Sequence, residues 1–266
     1  MIETIHVSAT DLTIAALLLL LPGLASVVLK LGLGRKLLLA SVRTVLQLSF
    51  LGYVLHYIFA LSQWFWVIGL LLVMLTLAAR AAIGRTSYRF KGATWLAFVC
   101  LVVACGVVTF ATTEWVLDVE PWFAPRYVLP LAGMLLGNAL TGISLGLDQL
   151  LKGIVQQRGR IESSLCHGAT PRQALTPFLR EAVRTGMIPI LNSMMIVGIV
   201  SMPGMMTGQL LAGAEPLQAV SYQIMIMFMI AAATVLGVVL ICYLAAARLV
   251  HPMQRVRWEL IKSVES

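Results

Sequence analysis

Apolar residues occur along the chain in continuous blocks of about 20 residues, separated by shorter polar connections. Blocks of this length are typical of helices that cross a hydrocarbon core about 30 Å thick, whereas barrel strands give shorter, alternating segments. The pattern therefore predicts an all-α integral membrane protein with about seven transmembrane helices. The predicted spans are residues 12–30, 38–59, 64–83, 94–113, 127–151, 187–208 and 221–249.

The composition agrees with this prediction. Of the 266 residues, 60% are hydrophobic and only 11% are charged, and the mean hydropathy is +0.94. About a quarter of the residues of a soluble domain are charged, so we expect a multi-pass protein of a cell's inner membrane. A net charge of +8 would suggest a nucleic-acid partner in a soluble protein. In a membrane protein, the excess of positive charge is explained by its role in orienting the chain in the bilayer. We therefore expect contact with membrane lipid and no nucleic-acid partner.

Basic residues are distributed unequally between the two sides of the predicted membrane. When the connections are assigned to alternate sides, 18 of the 19 Lys and Arg residues fall on one side and only Arg126 falls on the other. The positive-inside rule then places the N-terminus outside and the C-terminus in the cytoplasm. Asp148, near the cytoplasmic end of span five, is expected to pair with a basic residue. The first eleven residues lack the basic segment of a secretory signal, so we expect an uncleaved anchor.

One sizeable polar segment runs from residue 152 to about residue 186, on the side predicted to be cytoplasmic. It is too short to form an independent domain. Its central stretch, ESSLCHGATPRQA (Glu162–Ala174), predicts two short helices joined at Gly168. Glycine permits a tight C-terminal turn, and Thr170 can cap a new helix that starts with Pro171. From this pattern alone, either a solvated loop or a small rigid projection for a partner protein is expected.

Polar residues inside the spans are candidates for a substrate pathway, because they are costly in a bilayer. Asn138 lies in span five among glycines with two GxxxG spacings, which favour close helix packing at a dimer seam or an internal contact. Asn138 itself either supports this packing or contacts substrate. Arg43 and Gln47 lie one turn apart on span two, where they either extend to the cytoplasmic interface or face a pore. The glycines are Gly133, Gly137, Gly142 and Gly146.

Methionine is concentrated around span six, since nine of the 13 methionines lie between Met187 and Met229. On one regular helix, six of them would fall within an arc of about 120°. Pro203-Gly204 predicts a break near the outer end of this helix. Thioethers are soft ligands suited to Cu(I), but methionine also fills surfaces that repack during transport, and both roles stay open. The six are Met187, Met194, Met195, Met202, Met205 and Met206.

The sequence contains no motif for catalysis or for a bound cofactor. The four histidines have no metal-site spacing, and the metal ligands are unassigned. A Walker A motif is absent, so ATP is not expected to bind this chain in the P-loop manner. The cysteines form no CxxC pair, and we expect buried small hydrophobic residues rather than a disulfide framework. They are Cys100, Cys105, Cys166 and Cys242.

The polar segment resembles the EAA motif of ATP-binding-cassette permeases, which docks into a cleft on the ATPase subunit. Glu162, Ser163 and Ser164 stand at the E-A-A positions and Gly168 at the glycine, with serine replacing both alanines. Four more stretches resemble the FetB/YbbM permease family, and the likeness covers roughly residues 43–243. They are GYVLHYIF (52–59), LPLAGMLLGNAL (129–140), VSMPGMMTG (200–208) and YQIMIMFM (222–229).

This resemblance implies that residues 1–266 form a single transmembrane permease domain containing a cytoplasmic coupling segment at 152–186. It implies a homodimer that works with two copies of a separate FetA-like ABC ATPase, which binds ATP and Mg. The family includes an iron-export permease and a plant branch linked to aluminium tolerance, so export of iron or another metal is expected. By the resemblance, the coupling residues are Glu162, Ser163, Gly168, Ala169, Thr170 and Arg172.

Other functions are compatible with the residues. An organic substrate, such as a nucleotide sugar or lipid, is an alternative, because the spans contain no carboxylate cluster. A secondary transporter or channel is disfavoured by the scarcity of intramembrane Asp, Glu and His, and a regulatory subunit is a weaker alternative. The candidate pathway residues are Arg43, Gln47, Asn138, Asn192, Ser193, Met195, Met202, Met205, Met206 and Gln223.

Overall fold

The structure is a computed structural model that describes residues 8–30, 32–61, 63–118, 120–121, 123–250 and 256–263. The chain divides into two compact units. The first comprises Met1–Ser62 and Gly208–Ala214, and the second comprises Gln63–Thr207 and Glu215–Ser266. Helices predominate among the described residues, which confirms the prediction of an all-α membrane protein.

Helices α1 (Ala9–Leu17), α2 (Leu20–Val28) and α3 (Gly34–Leu61) belong to the first unit. The apolar block at 12–30 is not one helix, because α1 ends before α2 begins. Pro22 explains this break. It has no N–H to bond the carbonyl of Leu18, and proline is tolerated only in the first turn of a helix. Each nine-residue helix is about 14 Å long, less than half of the hydrocarbon core.

The second unit contains the remaining long helices. Helix α5 continues at its C-terminal end as a π-helical turn, Thr112–Val116, and the division between the units falls within α9, at Gly208. The helices of this unit are α4 (Trp64–Gly84), α5 (Ala93–Ala111), α6 (Pro125–Gln156), α7 (Arg158–Cys166), α8 (Pro171–Ile196), α9 (Gly204–Leu211) and α10 (Pro216–Leu249).

Within the described residues, five helices are long and apolar enough to cross a membrane. They match predicted spans two, three, four, five and seven. The other two apolar blocks are interrupted, so the predicted count of seven continuous spans is not confirmed. The five are Gly34–Ala60, Trp64–Gly84, Ala93–Val116, Pro125–Gln156 and Pro216–Leu249.

The sixth apolar block is divided between two helices. Helix α8 ends at Ile196, Val197 is extended, and α9 begins at Gly204. The break occurs earlier than the Pro203-Gly204 pair suggested. Pro203 lacks a donor and restricts the preceding residue to extended conformations, while Gly198 adopts a positive φ of +81°. The predicted arc of six methionines therefore does not exist as one helical face.

Helices α6, α8 and α10 form the centre of the second unit, where three glycines allow close packing. A Cβ atom at Gly186 of α8 would lie 2.9 Å from the carbonyl oxygen of Gly142 on α6 and 2.7 Å from Val238 on α10. A Cβ at Gly146 would lie 3.3 Å from the carbonyl oxygen of Ala182. The 142/146 GxxxG pair is thus an internal contact, whereas Gly137 has no atom within 4 Å of its Cβ position.

A small two-stranded sheet joins two distant parts of the chain. Strand β1 (Tyr88–Phe90) follows α4, and β2 (Ile261–Ser263) follows a 3₁₀ turn at Trp258–Leu260. The strands are antiparallel, with Tyr88 opposite Ser263. Strand pairing was not expected from the sequence. The sheet attaches the C-terminal segment to the connection between α4 and α5.

Candidate functional site

The polar segment forms a turn between α7 and α8 that is fixed by backbone hydrogen bonds. We call residues 162–173 the coupling turn. Gly168 has a φ of +88°. Its N–H donates to the carbonyl of Leu165 at 3.0 Å, and the Ala169 N–H donates to the carbonyl of Ser164 at 3.1 Å. This is the Schellman arrangement that ends a helix at a left-handed glycine. The predicted break at Gly168 is confirmed.

The next helix begins with the predicted cap. The Gln173 N–H donates to Thr170 Oγ1 at 3.3 Å, and the Thr170 N–H donates to Gln173 Oε1 at 2.8 Å, which together form a capping box. Pro171 is the first helical residue. The prediction that this second helix is short is wrong, because α8 continues for 26 residues to Ile196.

The coupling turn is held on one side and exposed on the other. Ile161 is buried and fixes α7 to the unit, whereas Ser163, Gly168 and Arg172 are exposed. Glu162 Oε1 accepts from Arg158 Nε at 2.7 Å, and the Glu162 side chain is 46% exposed. The structure therefore collects the predicted coupling residues in one surface feature, at the end of α7 and the start of α8.

The C-terminal segment also contacts α7. The Arg158 guanidinium lies over the Trp258 ring, with 4.9 Å from Cζ to the ring centroid. The same side chain bonds Glu162, so Arg158 links the tail to the first residue of the EAA-like motif. On the adjacent helix, Asp148 pairs with Lys152 at 2.6 Å, as predicted, and accepts from the Ser87 N–H at 2.7 Å.

Two adjoining cavities lie beside the break between α8 and α9, and we call them the methionine cavities. One has a volume of about 320 Å³ and the other about 580 Å³. Both are bordered by Val197, Met202, Pro203, Gln223 and Met227. Because these residues come from the interrupted segment and α10, the helix break itself forms the walls. Discontinuous helices of this kind often line transport sites.

Four polar residues border the smaller cavity, namely Asn138, Ser193, Ser201 and Gln223. The Asn138 amide donates to the Met134 carbonyl at 2.9 Å, and the Ser193 hydroxyl donates to the Pro189 carbonyl at 2.9 Å. Gln223 is 7% exposed, and its Oε1 has no hydrogen-bond partner among the described residues. A buried amide oxygen without a partner is costly, so Gln223 is the residue at this cavity that a ligand would satisfy.

The predicted pathway residues are only partly brought together. Asn138, Ser193, Met202, Met205 and Gln223 border the smaller cavity, and Met206 borders the larger one. Asn192 and Met195 border neither, and Arg43 and Gln47 lie on α3 in the first unit. Three further methionines at the cavities are not among the predicted pathway residues, namely Met134, Met194 and Met227, although Met194 belongs to the predicted arc.

The missed methionines differ in how they could have been found. Met194 and Met227 belong to the methionine-rich stretch and were visible as candidates. Met134 lies on α6, far away in sequence, and only the packing of α6 against α8 and α10 brings it to the cavity. Within the described residues, no group of three His, Cys, Asp or Glu side chains could hold a metal ion.

The comparisons with known proteins identify the family. Residues 9–250 match the model of a family described as an uncharacterised protein family, UPF0014. The chain belongs to this family. UPF0014 membrane protein slr1647 of Synechocystis is 41% identical over 200 residues, which is 75% of this chain and 77% of that protein. No solved structure gives a significant match.

Two further UPF0014 relatives carry descriptive names. The probable iron export permease protein FetB of Escherichia coli is 34% identical over 239 residues, covering 90% of this chain and 91% of FetB. Protein ALUMINUM SENSITIVE 3 of Arabidopsis thaliana is 38% identical over 194 residues, covering 73% of this chain and 70% of that protein. These matches confirm the family resemblance and a multi-pass membrane protein, and they support a transport role rather than an enzyme.

Proposed function

We propose that this UPF0014 protein is the permease subunit of an ATP-driven ABC transporter that exports a metal ion. ATP and Mg would be bound by a separate cytoplasmic ATPase, and two copies of the chain would form the translocation pathway. The similarity to FetB over 90% of the chain supports the transport role and iron or another metal as the substrate. The capped, exposed coupling turn supports an ATPase partner, because it offers that partner a rigid surface.

Helix α8 supplies a mechanical connection between the two candidate sites. It extends from Pro171 at the coupling turn to Ile196, next to Val197 of the methionine cavities, a length of about 39 Å. Pro177 and Pro189 lie inside the helix, where each removes one backbone hydrogen bond and permits a local bend. Its middle is fixed against α6 and α10 by the close contact at Gly186. We infer that a displacement of the coupling turn by the ATPase tilts α8 about this contact and moves the cavity walls.

Replacement of Gly168 by valine tests the coupling. No atom lies within 4 Å of the Cβ position, so an added Cβ atom meets no neighbour there. A φ of +88° is strained for any L-residue and most of all for a β-branched one. We expect Gly168→Val to distort the coupling turn and to reduce ATPase stimulation and transport together, by at least fivefold, in the reconstituted complex.

Gly159→Val is the matched control. Gly159 lies in α7, and it too has no atom within 4 Å of its Cβ position. Unlike that of Gly168, its φ is not positive. Its ATPase stimulation and transport should stay within twofold of wild type. Unchanged activity of Gly168→Val in both assays, or failure of the chain to co-purify with any ATPase, would refute the proposed function.

A further inference from the structure

Six of the 13 methionines of the chain border the methionine cavities. They come from five different parts of the second unit: α6, α8, the segment after α8, α9 and α10. Their convergence is therefore a property of tertiary packing rather than of one methionine-rich helix. The six are Met134, Met194, Met202, Met205, Met206 and Met227.

These methionines border open volume instead of filling it. Methionine is commonly a flexible filler of irregular gaps in a core. Here the same side chains surround cavities of about 320 and 580 Å³. These side chains carry thioether sulfurs, which are weak acceptors and soft metal ligands, and they border a space that a ligand can occupy.

An oxygen ligand is present at the junction of the two cavities. Gln223 borders both cavities, and its exposed fraction is only 7%. Its Oε1 atom has no hydrogen-bond partner in the part of the chain that the structure describes. Met202 and Met227 also border both cavities. A ligand at this junction would satisfy the amide oxygen and lie beside two thioethers at once.

The lack of charged residues in the cavity walls restricts the class of ligand that can bind there. None of the described residues that border the cavities is Asp, Glu, His, Lys or Arg. Without a carboxylate, the desolvation of a buried cation is not compensated by an opposite charge, and this cost rises with the square of the ionic charge. A monovalent cation is therefore favoured over a divalent or trivalent one. Thioethers favour a soft metal over a hard one.

We propose that the junction of the methionine cavities binds a soft monovalent metal ion of the Cu(I) class, through thioether sulfurs that include Met202 and Met227 and through Gln223 Oε1. The role of this ion as the transported substrate rests on the proposed permease function, whereas its binding to the purified chain does not. A soft monovalent metal ion differs in class from iron, the metal in the name of FetB.

A competition titration tests the binding. The full chain, purified in detergent under anaerobic conditions, is titrated with Cu(I) against a chromophoric Cu(I) chelator. We expect the double variant Met202→Leu/Met227→Leu to raise the Kd for Cu(I) by at least tenfold, because leucine keeps the volume but removes both sulfurs. Gln223→Leu should raise the Kd severalfold. Circular dichroism and elution volume confirm that each variant is folded.

Met195→Leu is the matched control. Met195 follows Met194 on α8 and borders neither cavity, so the Kd of Met195→Leu should equal that of wild type. Its exposed fraction of 69% matches the 67% of Met202, so the two positions differ in their place relative to the cavities and not in exposure. Absence of Cu(I) binding by wild type, an unchanged Kd in the double variant, an equal loss in Met195→Leu, or tighter binding of Fe(II) than of Cu(I) would each overturn the proposal.

The experiments distinguish failure of the proposed metal site from failure of the proposed permease function. If Gly168→Val abolishes ATPase stimulation while wild type binds no Cu(I), the soft-metal site is wrong and the permease assignment stands. If Cu(I) binds at the junction but no ATPase associates with the chain, the transporter assignment is wrong and the site stands.

Discussion

At the scale of the residue, the glycines of α6 and α8 have different roles despite similar spacing. Gly142 and Gly186 face each other so closely that neither has room for a Cβ atom, whereas Gly137 faces open space. The sequence indicated close packing but left a dimer seam and an internal contact open. Only the structure distinguishes these, because the partners of a glycine are chosen by tertiary contacts.

Gly186→Ala should destabilise the protein. Its Cβ would lie 2.7 Å from Val238 Cγ1 and 2.9 Å from the Gly142 carbonyl oxygen, and the backbone atom cannot rotate away. We expect a loss of about 1–3 kcal/mol, as for other overpacked cores, measured as a lower Tm in detergent. Adding Val238→Ala should restore only part of the loss, because it removes one of the two obstacles.

Gly137→Ala is the comparison for this prediction. It adds the same methyl group on α6 where no atom lies within 4 Å, and alanine is favoured over glycine in a helix by about 1 kcal/mol. The Tm should therefore stay the same or rise. An equal fall in both variants would show that the crossing of α6 and α8 is not as close as described.

At the scale of the element, the features that were predicted correctly are those that depend on residues close together in the sequence. The Gly168 turn and the Thr170 cap depend on neighbours in the chain, and both were predicted correctly. The β1–β2 pair depends on residues 88–90 meeting residues 261–263, and no local pattern encodes that pairing. The break in the sixth apolar block was predicted only in part. Proline indicated that a break occurs, but tertiary packing decides that α8 ends at Ile196.

The C-terminal segment should stabilise α7. Trp258 contacts Arg158 by a cation–π interaction, which contributes about 0.5–1 kcal/mol at an exposed site. Trp258→Ala should therefore increase amide hydrogen exchange in α7 by roughly two- to fivefold. Trp95→Ala, at an exposed tryptophan on α5, should leave α7 unchanged. Unaltered exchange of α7 in Trp258→Ala would mean that the tail does not support this helix.

At the scale of the whole molecule, the hydrophobic pattern identifies a membrane protein, but it does not locate the candidate substrate site. The apolar blocks gave the class of the protein, and five of them are helices of spanning length among the described residues. The candidate substrate site lies at a place where the simple pattern fails, beside the interrupted sixth block. This is physically reasonable, because a break in a helix exposes backbone groups and creates space that a regular span does not have.

The predicted orientation, with the coupling turn in the cytoplasm, can be tested with the native cysteines. Cys166 is exposed at the end of α7, whereas Cys100, Cys105 and Cys242 are buried. A thiol reagent that does not cross membranes should therefore modify Cys166 only after cells are permeabilised, and Cys166→Ser should abolish the signal. Asp118→Cys in the Cys166→Ser background should react in intact cells, because the connection after α5 is predicted to lie outside. Modification of Cys166 in intact cells would reverse the orientation and place the coupling turn beyond the reach of a cytoplasmic ATPase.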